Sequence, residues 1–344
     1  MRSAGPHTGP MSPLGEYVRH VLRSRKGSAR SAVAVAVVMA MALAACGSSS
    51  KPAKNAGTPT TSPGLQGTQP NTGKPTPGGS ITFALPAEST GGWCLPEAQL
   101  AISGIQVARA IYDYLAVPDV NGNYVPSLAD SIKPNADFTS WTIHIRSGIK
   151  FQNGEALNGK VVKDNLDAYR GTFPGRKPLL FIFVFKNIKA TTLVDPMTVR
   201  VDMTKPWSAF PASLYSYGRL GIMAEKQLTD GSNCFEDMIG TGPFEFHGDW
   251  VRNDHLTVVK NPNYWRKDQY GQALPYLDKI TFKPVPETST LVNGLQASPP
   301  QFDLDITDDN VAISELQPLV TSGSLNMLKQ SNYPEIAYNL LNDS

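Results

Sequence analysis

From residue 141 apolar and polar side chains alternate. Trp141, Ile143 and Ile145 fall on one face and Thr142, His144 and Arg146 on the other, which predicts a half-buried strand. Ser147-Gly148 then predicts the turn of a hairpin running back through Phe151. Within "NGEALNGKVVKDNLDAYRG" the period changes. Val161, Val162, Leu166 and Tyr169 recur at helical spacing and predict a helix with these four on its inner face. Farther on, Gly240-Thr-Gly-Pro243 predicts a fixed turn into a strand at Phe244 to Phe246, and Asn261-Pro262 a turn that docks Tyr264 and Trp265 as amphipathic anchors. Strands outnumber clear helices. With 28 prolines and 29 glycines, the chain reads as a loop-rich α+β (mixed α/β) protein large enough for more than one lobe.

The first 78 residues follow none of these periods. Six basic residues (Arg2, Arg19, Arg23, Arg25, Lys26, Arg30) face one acid, Glu16, and an uncharged stretch follows from Ser31 to Ala45. That is the layout of a signal peptide, and its apolar run is shorter than the roughly 20 residues of a membrane-spanning helix. Leu43-Ala-Ala-Cys46-Gly47 resembles the bacterial lipobox, which implies diacylglyceryl transfer to Cys46 and cleavage in front of it. An ordinary secretory signal with a nearby cysteine is the plain alternative. Two lipid chains would hold the mature protein on the outer face of a membrane. Residues 47–78 are almost all Ser, Thr, Pro, Gly, Asn and Lys and cannot bury a core, so 46–78 is expected to be a disordered tether reaching on the order of 30 Å.

Removing the leader changes the charge. Taking its six basic residues and one acid from totals of 31 and 29 leaves 25 against 28, so the net charge moves from +2 to −3 and leaves no nucleic-acid footprint. Two cysteines remain beside Cys46. Cys94 and Cys234 are an even number in an oxidising space and are expected to pair, with two separate buried thiols as the alternative.

Catalytic signals are weak. Gly154 to Lys160 matches G-x-x-x-x-G-K, but Val161 stands where a P-loop needs Ser or Thr, and an exported chain meets no ATP. Ser147-Gly-Ile-Lys150 has the S-x-x-K spacing of serine acyltransferases, yet it lies in a predicted turn, not at a helix start, and no S-D-N or K-T-G follows in the mature chain. His144, His247 and His255 have no metal-ligand spacing. No enzyme, cofactor or metal site is expected.

Two long stretches resemble a known family. "IYDYLAVPDVNGNYVPSLADSIKPNADFTSWTIHIRSGIKFQNGEALNGKVVKDNLDAY" is similar to the opening of the family 5 solute-binding proteins, the peptide and nickel receptors of ABC importers. "GTGPFEFHGDWVRNDHLTVVKNPNYWRKDQYGQALPYLDKITFKPVPETSTLVNGLQ" resembles their second signature, with Gly240-Thr-Gly-Pro243 and Asn261-Pro-Asn-Tyr264-Trp265 its most specific parts. The likeness runs from Gly79 to the C-terminus. There are departures: Gln152-Asn153-Gly154 replaces a His-Asp-Gly turn, and "ASPPQFDLDI" replaces a short glycine-acid step. The Asp303, Asp305, Asp308, Asp309 run lacks the glycine and distal glutamate of a calcium loop and reads as a solvated strand end.

The resemblance implies a two-lobed periplasmic-binding-protein-like fold of the large class with an extra subdomain. It would comprise a signal peptide at 1–45, lobe I from 79–115 and 239–288, the extra subdomain at 116–238, and the start of lobe II at 289–344. Family members are longer, so the chain reads as truncated, with lobe II incomplete. Ligand would sit between the lobes. Candidate ligand-binding residues are Glu88, Ser89, Thr90 and Trp93 after the first strand, with Leu180, Phe181, Tyr217 and Arg219 from the subdomain. Arg219 matches carboxylate geometry but also fits a surface arginine, and the aromatics also fit a core. The implied partners are a short peptide, or another small solute such as a nickel complex, sugar or opine-like compound, and ABC permease subunits in the membrane. The protein would act as a monomer held outside the cell by its lipid. The alternative is a non-transport surface interaction lipoprotein on a truncated version of this fold.

Overall fold

The computed structural model describes residues 65–66, 74–119, 121–231, 233–307, 310–331 and 336–341. The expected signal peptide, Cys46 and most of the expected tether lie outside them, as do Asp308 and Asp309.

The main sheet is built around β1 (Ser80–Leu85), whose Phe83, Ala84 and Leu85 are buried. Its sequence, SITFAL, is nearly continuous in apolar character, as a strand covered on both faces must be. β1 lies between two parallel partners, β8 (Lys279–Pro284) and β9 (Leu304–Thr307). The chain passes from β8 to β9 through α3 (Thr288–Gln296), because parallel strands of one sheet need a crossover connection. Outward from β8 come β7 (His255–Lys260) and β6 (Phe244–Val251), both antiparallel. Outward from β9 come β11 (Ile336–Leu341) and β10 (Asn326–Ser331).

Two expectations change here. The boundary expected at 289 does not separate sheets, since β9, β10 and β11 join the sheet of β1. The crossover through α3 returns the chain to β1, so β9, β10 and β11 extend the sheet of β1 across the boundary expected at 289. Within the expected tether, Leu65–Gln66 forms a two-residue strand paired with Leu328 and Met327. It is flanked by Gly64 and Gly67, and backbone pairing alone suffices for it.

A second, antiparallel sheet has the order β2-β3-β5-β4, from β2 (Ala129–Pro134), β3 (Ser140–Ile145), β4 (Ile188–Asp195) and β5 (Thr198–Met203). The alternation read in β3 is correct: Trp141, Ile143 and Ile145 are buried. Its hairpin partner is not. β3 pairs with β2 and β5, whereas residues beyond Gly148 make a single bridge, Lys150 to Ala156. α2 (Gly159–Tyr169) buries Val161, Val162, Leu166 and Tyr169, and Asn158 caps it by accepting from the Val161 N–H at 3.0 Å.

Both sequence signatures meet at the end of α1 (Ile102–Ile111). Gly242 N–H donates to Ile111 O at 2.8 Å, and a Cβ at Gly240 would stand 2.0 Å from that same oxygen, so the turn requires glycine there. Gln152, which stands at the departure from the family turn, donates to Ile111 O and Phe244 O and accepts from Gly240 N–H at 2.9 Å. Beside it Asp113 is buried and accepts from Trp265 Nε1 (2.8 Å), Thr241 Oγ1 (3.2 Å) and Tyr264 OH (3.2 Å). Tyr264 and Trp265 therefore dock as anchors, and their target is the acid of the first signature. Burial pushes the Asp113 carboxyl up, against the pull of the Trp265 donor and the Arg266 charge. Asp113→Asn keeps the shape but turns an amide toward donors, and is expected to cost about 2 kcal/mol. Urea midpoints of the two chains test it, and a change below about 0.5 kcal/mol would mean the knot is dispensable.

Candidate ligand-binding site

Open sheets with parallel strands bind ligands beyond the carboxyl ends of those strands. At that end of β1 and β8 lie two segments, the loop 86–101 that joins β1 to α1 and the tip of the β6–β7 hairpin at 252–254. Glu88 ties them together: one oxygen accepts from its neighbour Ser89 N–H at 2.8 Å, the other from Asn253 N–H at 2.8 Å. Asn253 adopts the left-handed region, φ 60°, which an asparagine tolerates at a hairpin tip.

Under this clasp Trp93 is fully buried and meets Trp250 edge to face, ring centroids 5.6 Å apart. A cavity of about 10 Å³ borders Glu88, Ser89, Trp93 and Ser103, room for about one water and no solute. The larger space is an open groove of about 700 Å³ alongside, walled by Thr90, Gly91, Gly92, Glu97, Gln99, Lys177, Leu179, Phe235 and Arg252. That size suits a small organic ligand.

Its walls come from distant parts of the chain and are fastened to one another. A disulfide joins Cys94 to Cys234, across 140 residues. Next to it Trp93 N–H donates to Phe235 O at 2.9 Å, and Gly92, at φ 66°, leaves no room for a Cβ, which would meet Phe235 O at 2.9 Å. On the other side Glu97 accepts from Lys177 N–H at 2.8 Å, and Leu179 N–H donates to Pro96 O at 3.3 Å.

The candidates read from the sequence take three kinds of place. Thr90 lines the groove, while Glu88, Ser89 and Trp93 line the one-water cavity. Leu180 is exposed beside Leu179, but Phe181 is core, 1% exposed with its ring 5.4 Å from Tyr169. Tyr217 sits in a left-handed turn, φ 59°, with its carbonyl accepting from Arg109 Nη2 at 3.2 Å. Arg219 Nε donates to Leu100 O at 2.7 Å, where it holds the end of the 86–101 loop. Lys177, Phe235 and Arg252 escaped the sequence reading, although pairing of the cysteines pointed to Phe235, which follows Cys234. Among the described residues, no group of three or more His, Cys, Asp or Glu side chains could hold a metal ion, and no helix is long and apolar enough to cross a membrane.

Comparison with known proteins identifies the family and the fold. The family model for bacterial extracellular solute-binding proteins, family 5 (middle part), matches residues 123–342. The glutathione-binding protein GsiB of Salmonella typhi is 32% identical over 208 residues, 60% of this chain and 39% of that protein. The chain thus spans about two fifths of the length of the curated relatives it matches. Among solved structures, the periplasmic binding protein AgaA of A. tumefaciens R10, in complex with agropinic acid, superposes with a TM-score of 0.64 at 24% identity over 73% of this chain and 48% of that one. DppA of Helicobacter pylori, in complex with the peptide STSA, gives 0.60 at 22% identity over 74% and 51%. At these identities the structural likeness is one of fold, that of the two-lobed periplasmic binding proteins.

Proposed function

Because this chain belongs to the bacterial extracellular solute-binding proteins of family 5, we propose that it captures a short peptide in the groove beside the 86–101 loop and delivers it to an ABC permease. The observation that carries the reading is the groove itself: about 700 Å³, at the carboxyl edge of the parallel strands, with walls bound together by the Cys94–Cys234 disulfide. A buried disulfide also suits a chain that works outside the cytoplasm. Lipid on Cys46 would hold it there as a monomer at the outer face of the membrane.

Peptide is favoured over other solutes because a relative at 32% identity is a glutathione-binding protein, and glutathione is a tripeptide. The groove offers such a ligand apolar contact at Leu179 and Phe235 and hydrogen bonding at Thr90 and Gln99. The test is thermal unfolding of the chain with and without millimolar glutathione and a mixture of tri- and tetrapeptides. A ligand present at about 100 times its Kd adds roughly 2.7 kcal/mol of stability, a readily measured rise in Tm. An unmoved Tm with every peptide would overturn the peptide reading.

A further inference from the structure

The groove carries a charge pattern that says more about its ligand. We propose that it selects an anionic short peptide, one with a side-chain carboxylate besides its C-terminal one, and that Arg252 and Lys177 are the selecting residues. The proposal rests on the groove being the ligand site.

Arg252 stands at the hairpin tip with its guanidinium 4.3 Å from the centre of the Trp250 ring. Trp250 is in turn braced edge to face by the fully buried Trp93. A guanidinium held over a ring keeps N–H donors for a ligand, and their fork matches a carboxylate. The Glu88 bond to Asn253 N–H fixes the backbone one residue on, so the cation is held in place before any ligand arrives. Lys177 stands on the opposite segment, its backbone N–H held by Glu97.

Among the described residues neither cation makes an ion pair. The nearby acids are already engaged. Glu97, the acid on the groove wall, lies 3.9 Å from Arg176 Nη1 besides accepting from Lys177 N–H, and Asp254 pairs with His255 at 2.7 Å. Glu88 spends both oxygens on backbone N–H groups. Neither Lys177 nor Arg252 has a carboxylate at ion-pairing distance, so both keep their N–H donors and local positive field on one concave surface with apolar walls, where a field is stronger than on an open face. A second carboxylate on the ligand answers that field; a neutral side chain does not.

The experiment is calorimetric titration of the full chain with Ala-Ala-Ala and with Ala-Glu-Ala at low ionic strength. The glutamate peptide is expected to bind about tenfold more tightly, the value of one well-placed charge pair. In the double variant K177Q/R252Q, with an unchanged Tm, that ratio should fall to near one. R252K, which keeps the charge and loses the planar fork, should retain part of it. Added salt should shrink the ratio in the parent chain. Equal affinity for both peptides, or a ratio that survives in the double variant, would overturn the charge assignment while leaving peptide capture standing. Binding of neither peptide by a chain that melts cooperatively would overturn both.

Discussion

Breaking the Cys94–Cys234 bond is expected to lower the stability of the chain by up to about 5 kcal/mol, because the cross-link closes a loop of 140 residues and removes much of the freedom of the unfolded chain. Both cysteines are fully buried, so reductant added to the folded protein has to wait for opening, and the double variant C94A/C234A is the cleaner comparison. Urea unfolding of parent and variant measures the loss. A difference below about 1 kcal/mol would mean that native-state strain or residual structure in the unfolded chain cancels the entropic gain. The variant should also bind peptide less well. Gly92 and Trp93 are held against Phe235 by one backbone hydrogen bond and by the cross-link next to it, and without the latter the groove loses a fixed wall.

That wall was half legible in the sequence. Compartment and cysteine count were enough to pair Cys94 with Cys234, and from the pair it follows that Phe235 stands by Gly92. The contact of Arg252 with Trp250 is local, since residues two apart share a strand face, but nothing in the pattern indicates that the pair would stand beside the same groove, because that depends on where a hairpin tip falls relative to a loop some 150 residues earlier. The same limit shows in β3. Its alternation identifies the buried face correctly, yet a period of two says which residues point inward and not which strand lies alongside, and the neighbours are β2 and β5 in place of a return strand through Phe151. The buried face of α2 was legible because a helix is held by bonds within its own segment, and the Asn158 cap that starts it is local too.

The charged candidates near the groove were legible as residues and misread in role. Glu88 accepts two backbone N–H groups and Arg219 donates to Leu100 O, so each fixes loop geometry with a charge that looked free for ligand. Arg109, which no local signal marked, does the same for the left-handed turn at Tyr217. Such fastening lowers the entropic cost of binding for whatever enters, since the loops are ordered beforehand. In the proposed reading it leaves recognition to Lys177 and Arg252, groove cations that make no ion pair among the described residues.

The sequence places Asp305 in a solvated strand end, whereas the structure buries it, and that burial makes a testable prediction. It lies on β9, which is not an edge but a strand between β1 and β11, and is 1% exposed. Its register partner on β1 is Ala84, a member of the apolar cluster of Leu291, Leu295, Phe302 and Leu316 under α3 and α4 (Asn310–Ser322). Its Oδ2 has no hydrogen-bond partner among the described residues. Burial pushes the carboxyl up from its ordinary 3.8 to about 7, with the backbone N–H of Ile306 pulling weakly the other way. The folded chain therefore holds a proton that the unfolded chain has released anywhere between those two values. Below about pH 4 both states are protonated and the site costs nothing; as pH rises toward 7 stability falls, by about 4 kcal/mol in all, and stays lowered above it. Asp305→Asn, neutral at every pH, should match the parent near pH 4 and exceed it by several kcal/mol at pH 8. Urea unfolding of both chains from pH 4 to 8 isolates the effect, because every other titrating group is common to the two. Parallel stability curves would show that the carboxylate finds a partner or water when ionised, and that burial in this sheet does not hold it neutral.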